Sequence, residues 1–205
     1  MITNGYVTLE DFKASLYEAT LTSNAQDDEV MESIITDVSR HIDAQTGRRF
    51  YSTTADETRT YSTANRRRVF TDDILSVTTL KVDYDGDRTY ATTISSTDYD
   101  LAPDNALLNG EPYTYIELAP LCVENFPQYR RGVQVVGKFG YSATTPADIR
   151  QACLLICVSL YQARRGMGAE GTAQVTGAGV VITPRHVPPM AQKIIESKRK
   201  NWGGS

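Results

Sequence analysis

Between residues 133 and 165 the spacing of apolar side chains changes period, and that change restricts the fold more than any other feature. Val133-Gln134-Val135-Val136-Gly137-Lys138-Phe139-Gly140-Tyr141 alternates and is β-branched and aromatic, as a half-buried strand requires. A Ser/Thr turn follows, and Thr145-Pro146-Ala147-Asp148 opens a helix. Thr145 can cap it, Pro146 suits its first position, and Asp148 sets a carboxylate against the positive end of the helix dipole. From Pro146 to Arg165, residues Ile149, Ala152, Cys153, Ile156, Cys157 and Leu160 share a face, while Leu154, Leu155 and Val158 make much of the remainder apolar. A helix of that kind is buried, in a protomer core or against a neighbouring subunit. The chain must therefore supply both a sheet and a helical layer to cover it.

Upstream, Thr8 to Ala19 reads as a first helix, capped by Thr8 with Asp11 at the capping-box position and Leu9, Phe12 and Leu16 on one face. Thr20 to Gln26 reads as a polar linker. A longer helix is expected from Asp27 to Gln45, with Asp27, Asp28 and Glu29 at its start and Val30, Ile34, Val38 and Ile42 recurring every fourth residue. Gly47 is a suitable left-handed stop. From Phe50 to Tyr141 helical spacing disappears. Thr58–Tyr61, Val77–Val82, Thr89–Thr93, Tyr99–Leu101 and Tyr113–Leu118 read as strands, with Asp85-Gly86 as a hairpin turn signal.

After the third helix, Gly166, Gly168, Gly171, Gly177 and Gly179 punctuate a nearly uncharged stretch, in which residues 175–182 have the composition of a strand awaiting an edge. Pro188 and Pro189 precede a final helix, Met190 to Lys200. The expected fold is α+β: mainly a helical bundle of four helices, with an antiparallel β insertion between the second and third helices and a flexible C-terminal arm. Its parts are an N-terminal helix pair (1–49), a β-rich insertion (50–141), a core helix (142–165) and a Gly-rich arm with C-terminal helix (166–205), making one structural domain overall.

Composition narrows the function. With 40% hydrophobic and 22% charged residues the chain is expected to fold rather than remain disordered. A net charge of -4 argues against a general nucleic-acid-binding surface. No apolar run is long enough to span a bilayer, and Met1–Tyr6 has neither the basic region nor the apolar core of a signal peptide. The odd cysteine count (Cys122, Cys153, Cys157) gives no disulfide framework and suggests reduced thiols in a cytosolic product. His41 and His186 lack partners at a zinc spacing, and Cys153 with Cys157 supplies two ligands where four are needed. Asp83-x-Asp85-Gly86-Asp87 opens like a calcium loop, but Ile94 stands where the closing Glu is required. No nucleophile elbow and no phosphate loop occur. No catalytic, cofactor-binding or metal-binding residue is therefore expected, and no cofactor. Basic clusters at Arg48-Arg49, Arg66-Arg67-Arg68, Arg130-Arg131, Arg164-Arg165 and Lys198-Arg199-Lys200 read individually as solvated surface.

Four segments resemble, in order, those of the head–tail connector (adaptor) proteins of tailed bacteriophages. They are Ile42 to Phe50, closing in Thr-Gly-Arg-Arg-Phe; Asp72 to Val82; Asp98 to Ala106; and Phe139-Gly140-Tyr141 followed by Pro146 to Ala152. The resemblance covers most of the chain. It implies a structural virion protein, not an enzyme, made in the host bacterial cytoplasm and located in the neck between capsid portal and tail. It further implies a homo-oligomeric ring, expected to be a dodecamer, that docks on the portal protein, extends the DNA channel and offers a platform to a stopper or tail-completion protein. Genomic DNA would pass through without sequence-specific binding, and no membrane is involved. The arm and last helix would dock on the portal through Val175, Val180, Val181, Ile182, Met190, Ile194, Ile195 and Trp202. Arg66, Arg67, Arg68, Arg130 and Arg131 would face channel DNA or neighbouring subunits. Competing readings are another neck or tail-completion protein (stopper or tail terminator), expected to be mostly β, and a DNA-packaging or DNA-binding factor, which the acidic charge disfavours. An enzyme would need convergent titratable groups, and none form a motif.

Overall fold

The computed structural model describes residues 2, 4–16, 25–164 and 187–200. They form two compact units, one built from Met1–Arg48 with Thr145–Ser205 and one from Arg49–Thr144.

The first unit holds α1 (Leu9–Ser15), α2 (Ala25–Thr46), α3 (Ala147–Arg164) and α4 (Pro189–Ser197). Thr8 caps α1 through its hydroxyl, which accepts the Asp11 amide at 3.1 Å. Phe12 is fully buried on α1, with its ring edge-on to that of Tyr161. On α2 the stripe Met31, Ile34, Ile35, Val38 and Ile42 is buried, whereas Val30 lies outside it, 37% exposed. Ser39 sits inside this apolar surface with its hydroxyl bonded to the Ile35 carbonyl and to the Tyr6 amide. α2 stops where expected: Gly47 takes φ 66° and returns its amide to the Asp43 carbonyl at 2.8 Å. On α3, Ile149, Ala152, Cys153, Ile156, Cys157 and Tyr161 are buried, while Leu154, Leu155, Val158 and Leu160 are only partly covered. α4 packs through Ala191 and Ile195, and the Lys200 amide beyond it bonds the Thr46 carbonyl.

The second unit is a six-stranded antiparallel sheet of β1 (Glu57–Tyr61), β2 (Arg68–Val82), β3 (Thr92–Ile94), β4 (Tyr99–Ala102), β5 (Tyr113–Leu118) and β6 (Val133–Phe139). The order is β1-β6-β2-β5-β4, with β3 beside β2. β2 is the spine. Its first half pairs with β5, its second half with β6, and its last residues with β3. Residues 74–82 of β2 lie opposite 133–139 of β6, so β2 carries two extra residues, and the register shifts twice. Each shift is a bulge that bends the strand and strengthens its twist. Gly137 belongs to this bend, because a Cβ there would sit 2.1 Å from the Ser76 carbonyl oxygen. One face of the sheet pools Val69, Ile74, Leu80, Ile116, Val133, Val135 and Phe139, all fully buried, into a core of its own. The expected hairpin at Asp85-Gly86 is wider than a two-residue turn. The nearly buried Asp83 carboxylate accepts the amides of Gly86 and Arg88, and pairing resumes only at Thr92.

The expectation of a mainly helical bundle is corrected by this sheet. The strands do lie between the second and third helices, but the fold is α+β and not mainly helical: they have their own continuous core and make a unit comparable in extent to the helical one. The expected C-terminal arm, 166–186, lies outside the described residues.

Candidate interaction surface

Among the described residues no group of three or more His, Cys, Asp or Glu is placed to hold a metal ion. The Cys153 and Cys157 thiols are buried 3.9 Å apart on α3. Its hydrogen bond with the Cys153 thiol and burial both push the Cys157 thiol far up, away from reactivity. These thiols act as small core hydrophobes.

The five arginines singled out in the sequence separate into two kinds. Arg67 is internal to the sheet unit. Its guanidinium donates to the carbonyls of Leu118 (3.3 Å), Ala119 and Cys122 (3.0 Å), so one planar fork ties down the chain that leaves β5. Arg68 is spent on the sheet surface, 3.0 Å from the Glu117 carboxylate opposite it and stacked over the Tyr115 ring. Arg66, Arg130 and Arg131 are exposed and are brought together on two adjoining loops. Gln128 links these loops, donating to the Ala64 carbonyl and accepting from Arg66 Nε, and the Arg131 amide donates to the Ser62 hydroxyl. A third loop joins them: Arg88 donates to the carbonyls of Arg130 and Arg131.

The chain that Arg67 holds is the notable surface. Phe126 is buried, with its amide on the Arg66 carbonyl, and Cys122 packs against the core with its amide on the Ala119 carbonyl. Tyr84 Oη donates to the Glu124 carboxylate and lies within hydrogen-bond reach of the Asn125 backbone. Partial burial and that carboxylate push the Tyr84 phenol up to about 12. Between these anchors Leu121 and Val123 project 94% and 92% exposed. Two large apolar side chains thus stand in solvent on a loop pinned at several points, which is the arrangement of a preorganised contact rather than of loose chain.

A second apolar tip lies at the other end of the β4–β5 pair. Tyr99 opposes Leu118, and Ala102 opposes Tyr115, so the 119–126 loop leaves one end and the β4–β5 connection spans the other. That connection contains a single 3-10 turn, Ala106–Asn109, bounded by Asn105 and Gly110 in left-handed backbone conformations. It buries Ala106 and exposes Leu107 (45%) and Leu108 (86%). Sequence reasoning passed over all four of these residues. The available signal was an apolar pair before turn formers, Leu107-Leu108-Asn109-Gly110, and an apolar run after Pro120, Leu121-Cys122-Val123, past the strand end.

Elsewhere in the sheet unit, Arg59 lies over the Phe139 ring and bonds Glu57 and Asp72, and Tyr61 donates to Asp72. Side chains of β1 thereby reach the first half of β2, with which β1 has no backbone pairing. Burial would raise the Glu57 carboxyl, but hydrogen bonds from Arg49 and Arg59 hold it below its ordinary value. Of the residues expected to dock on the portal, Ile195 is a core residue of the helical unit, Ile194 is half-buried and Met190 is exposed on α4. Val175, Val180, Val181, Ile182 and Trp202 lie outside the described residues.

No protein-family model matches this chain, and no curated protein is similar to it in sequence. Several solved chains share its fold, among them these two. One is a chain from the neck of an empty gene transfer agent (GTA) particle computed with C6 symmetry, with a TM-score of 0.58 and 19% identity, covering 100% of this chain and 95% of that one. The other is a chain from the virion of a native GTA particle, with a TM-score of 0.56 and 17% identity at the same coverage.

Proposed function

We propose that this chain is a structural protein of the neck of a phage-like particle, located in the virion between capsid and tail. The observation that carries the reading is the shared fold over the whole chain with a protein of a GTA particle neck. The preorganised apolar tips support an assembly role.

Within that reading the chain is a head–tail connector: a homo-oligomeric ring that docks on the portal protein, continues the DNA channel and receives a stopper or tail-completion protein. A six-fold axis, as in the neighbouring structure, admits rings of six or twelve copies; twelve is the number implied by the connector resemblance. Met190, exposed on α4, is available for the portal, whereas Ile195 holds α4 in place. The exposed arginines at the 66 and 130 loops serve a neighbouring copy or the DNA backbone. A stopper or tail terminator is the alternative, favoured by the independent sheet core.

The test is cosedimentation of the full chain with the portal complex encoded beside it, followed by negative-stain imaging. Saturable binding with a new ring below the portal is the expected outcome. Failure of folded protein to bind portal, with binding to tail tubes instead, replaces the connector with a tail-side neck protein.

A further inference from the structure

We infer that the two apolar tips at opposite ends of the β4–β5 pair are the two halves of one head-to-tail contact between copies of this chain. The Leu121/Val123 loop of one copy seats on the Leu107/Leu108 turn of the next. The inference rests on the ring assembly proposed above and assigns the surfaces that close it.

Three observations point to a second copy as the occupant. First, a heterologous interface needs two different surfaces on each subunit, and the chain presents two. Each has a pair of exposed large apolar residues, and the pairing of Tyr99 with Leu118 and of Ala102 with Tyr115 sets them at opposite ends of one strand pair. They cannot meet within one chain, and a two-fold pair that seated each tip on the other would close at a dimer and give no chain of copies.

Second, the charges around the tips are complementary. Arg66, Arg130 and Arg131 are exposed on the loops joined to the Leu121/Val123 end. Asp83, Asp85, Asp87 and Glu124 keep their charges on the same loops, and with Arg67 and Arg88 the five arginines exceed these four carboxylates by one. The other end carries exposed Asp104 and Glu111, and residues 103–112 contain no Lys or Arg. An apolar centre with a basic rim thus faces an apolar centre with an acidic rim, and the rims set orientation and partner choice.

Third, both tips are ordered before contact. Arg67 pins the chain around Leu121 at three carbonyls, and the 3-10 turn closes through the Gly110 and Glu111 amides on Leu107 and Ala106. Little ordering is then required on association.

The experiment is cysteine cross-linking of the full chain with a short bismaleimide, in a Cys122→Ala background; Cys153 and Cys157 are buried and do not compete. A chain carrying both Leu108→Cys and Leu121→Cys is expected to give a ladder of covalent multimers. Each single substitution alone gives no products, and a mixture of the two single variants gives dimers only. Arg66→Glu with Arg130→Glu should reduce the ladder at least tenfold, and Asp104→Lys with Glu111→Lys in the same chain should restore it. Positions 66, 104, 108, 111, 121 and 130 are exposed, so thermal unfolding should match that of the Cys122→Ala background. Self-cross-linking of the Leu121→Cys chain would show an isologous contact and overturn the inference, as would absence of the ladder. Portal binding separates the two claims. Rings on portal without 108–121 cross-links leave the connector standing and remove this contact; a ladder without portal binding does the reverse.

Discussion

Removing the Arg67 fork tests whether the apolar loop is held or merely rests where it is. Arg67→Met keeps the aliphatic stem and deletes the donors to the Leu118, Ala119 and Cys122 carbonyls. A hydrogen bond to a charged group contributes about 1.5–3 kcal/mol. Here one guanidinium serves three carbonyls, it is only partly buried, and the Ala119 carbonyl keeps the Cys122 amide when the fork is removed. The set should therefore contribute about 2 kcal/mol rather than a multiple of it. Arg67→Lys, which can reach one carbonyl at a time, should lose about 1 kcal/mol by the same reckoning. Urea unfolding followed by far-ultraviolet circular dichroism measures the loss. Hydrogen exchange localises it: the Cys122 amide, bonded to Ala119, and the Phe126 amide, bonded to Arg66, should lose protection before the β2–β6 ladder does. An Arg67→Met protein with unchanged stability and unchanged protection at both amides would refute the clamp, and with it the claim that Leu121 and Val123 are preorganised.

Two further outcomes follow from the sheet unit. Gly137→Ala puts a Cβ 2.1 Å from the Ser76 carbonyl oxygen in the bent part of β2, and should cost about 3 kcal/mol through the backbone shift it forces. Gly110→Ala, with no atom within 4 Å of the new Cβ and only its positive φ to strain it, should cost about 1 kcal/mol; equal losses at the two sites in urea titrations would contradict the packing argument. Glu57 titrates in the folded state below its ordinary value of 4.5, so its ionised form stabilises the fold above that pH and the contribution disappears as pH falls through the lower folded value. Glu57→Gln should therefore lower stability at neutral pH and flatten the fall that sets in below its ordinary value, read as urea midpoints; parallel curves for the two proteins would remove Glu57 from the acid response.

The helices were legible because their spacing is set by one buried face. Ile34, Val38 and Ile42 recur with the turn of α2, and Gly47 ends it in the left-handed conformation that its position demands. Val30 belongs to the same numerical series yet sits outside the stripe, because an exact four-residue repeat drifts around a helix whose turn is shorter than four residues. The length of β2 was not legible, for two physical reasons. Its buried positions run Val69, Thr71, Asp73, then shift to Ile74, Leu80 and Val82, so no single alternation spans the strand. Its outward positions carry charges that look like loop, Arg68 and Asp72, which are satisfied by Glu117 across the strand pair and by Arg59 on β1. A reading by period alone breaks β2 at its bulges, and a broken spine makes the sheet look like a decoration on the helices.

The arginines show why the interaction surface was still less legible. In the sequence Arg66, Arg67 and Arg68 are one run, and a run of like charge reads as one solvated or ligand-facing patch. In the structure they have three separate tasks. Alternation at the start of β2 sends Arg68 to the outer face, where Glu117 and the Tyr115 ring take it. Arg67 turns back on the chain and spends its donors on three carbonyls of the segment that leaves β5. Arg66 stays in solvent beside the loop of Arg130 and Arg131. Charge content therefore overstated the basic surface and hid its purpose. The residue that makes the surface is Arg67, because holding a loop in place is what allows Leu121 and Val123 to face water without collapsing onto the sheet. Leu107 and Leu108 meet the same requirement by another device, a 3-10 turn bounded by two left-handed residues. Two independent ways of keeping apolar side chains out of the core, at the two ends of one strand pair, are an expense in stability that a free monomer has no use for and a ring of identical copies does.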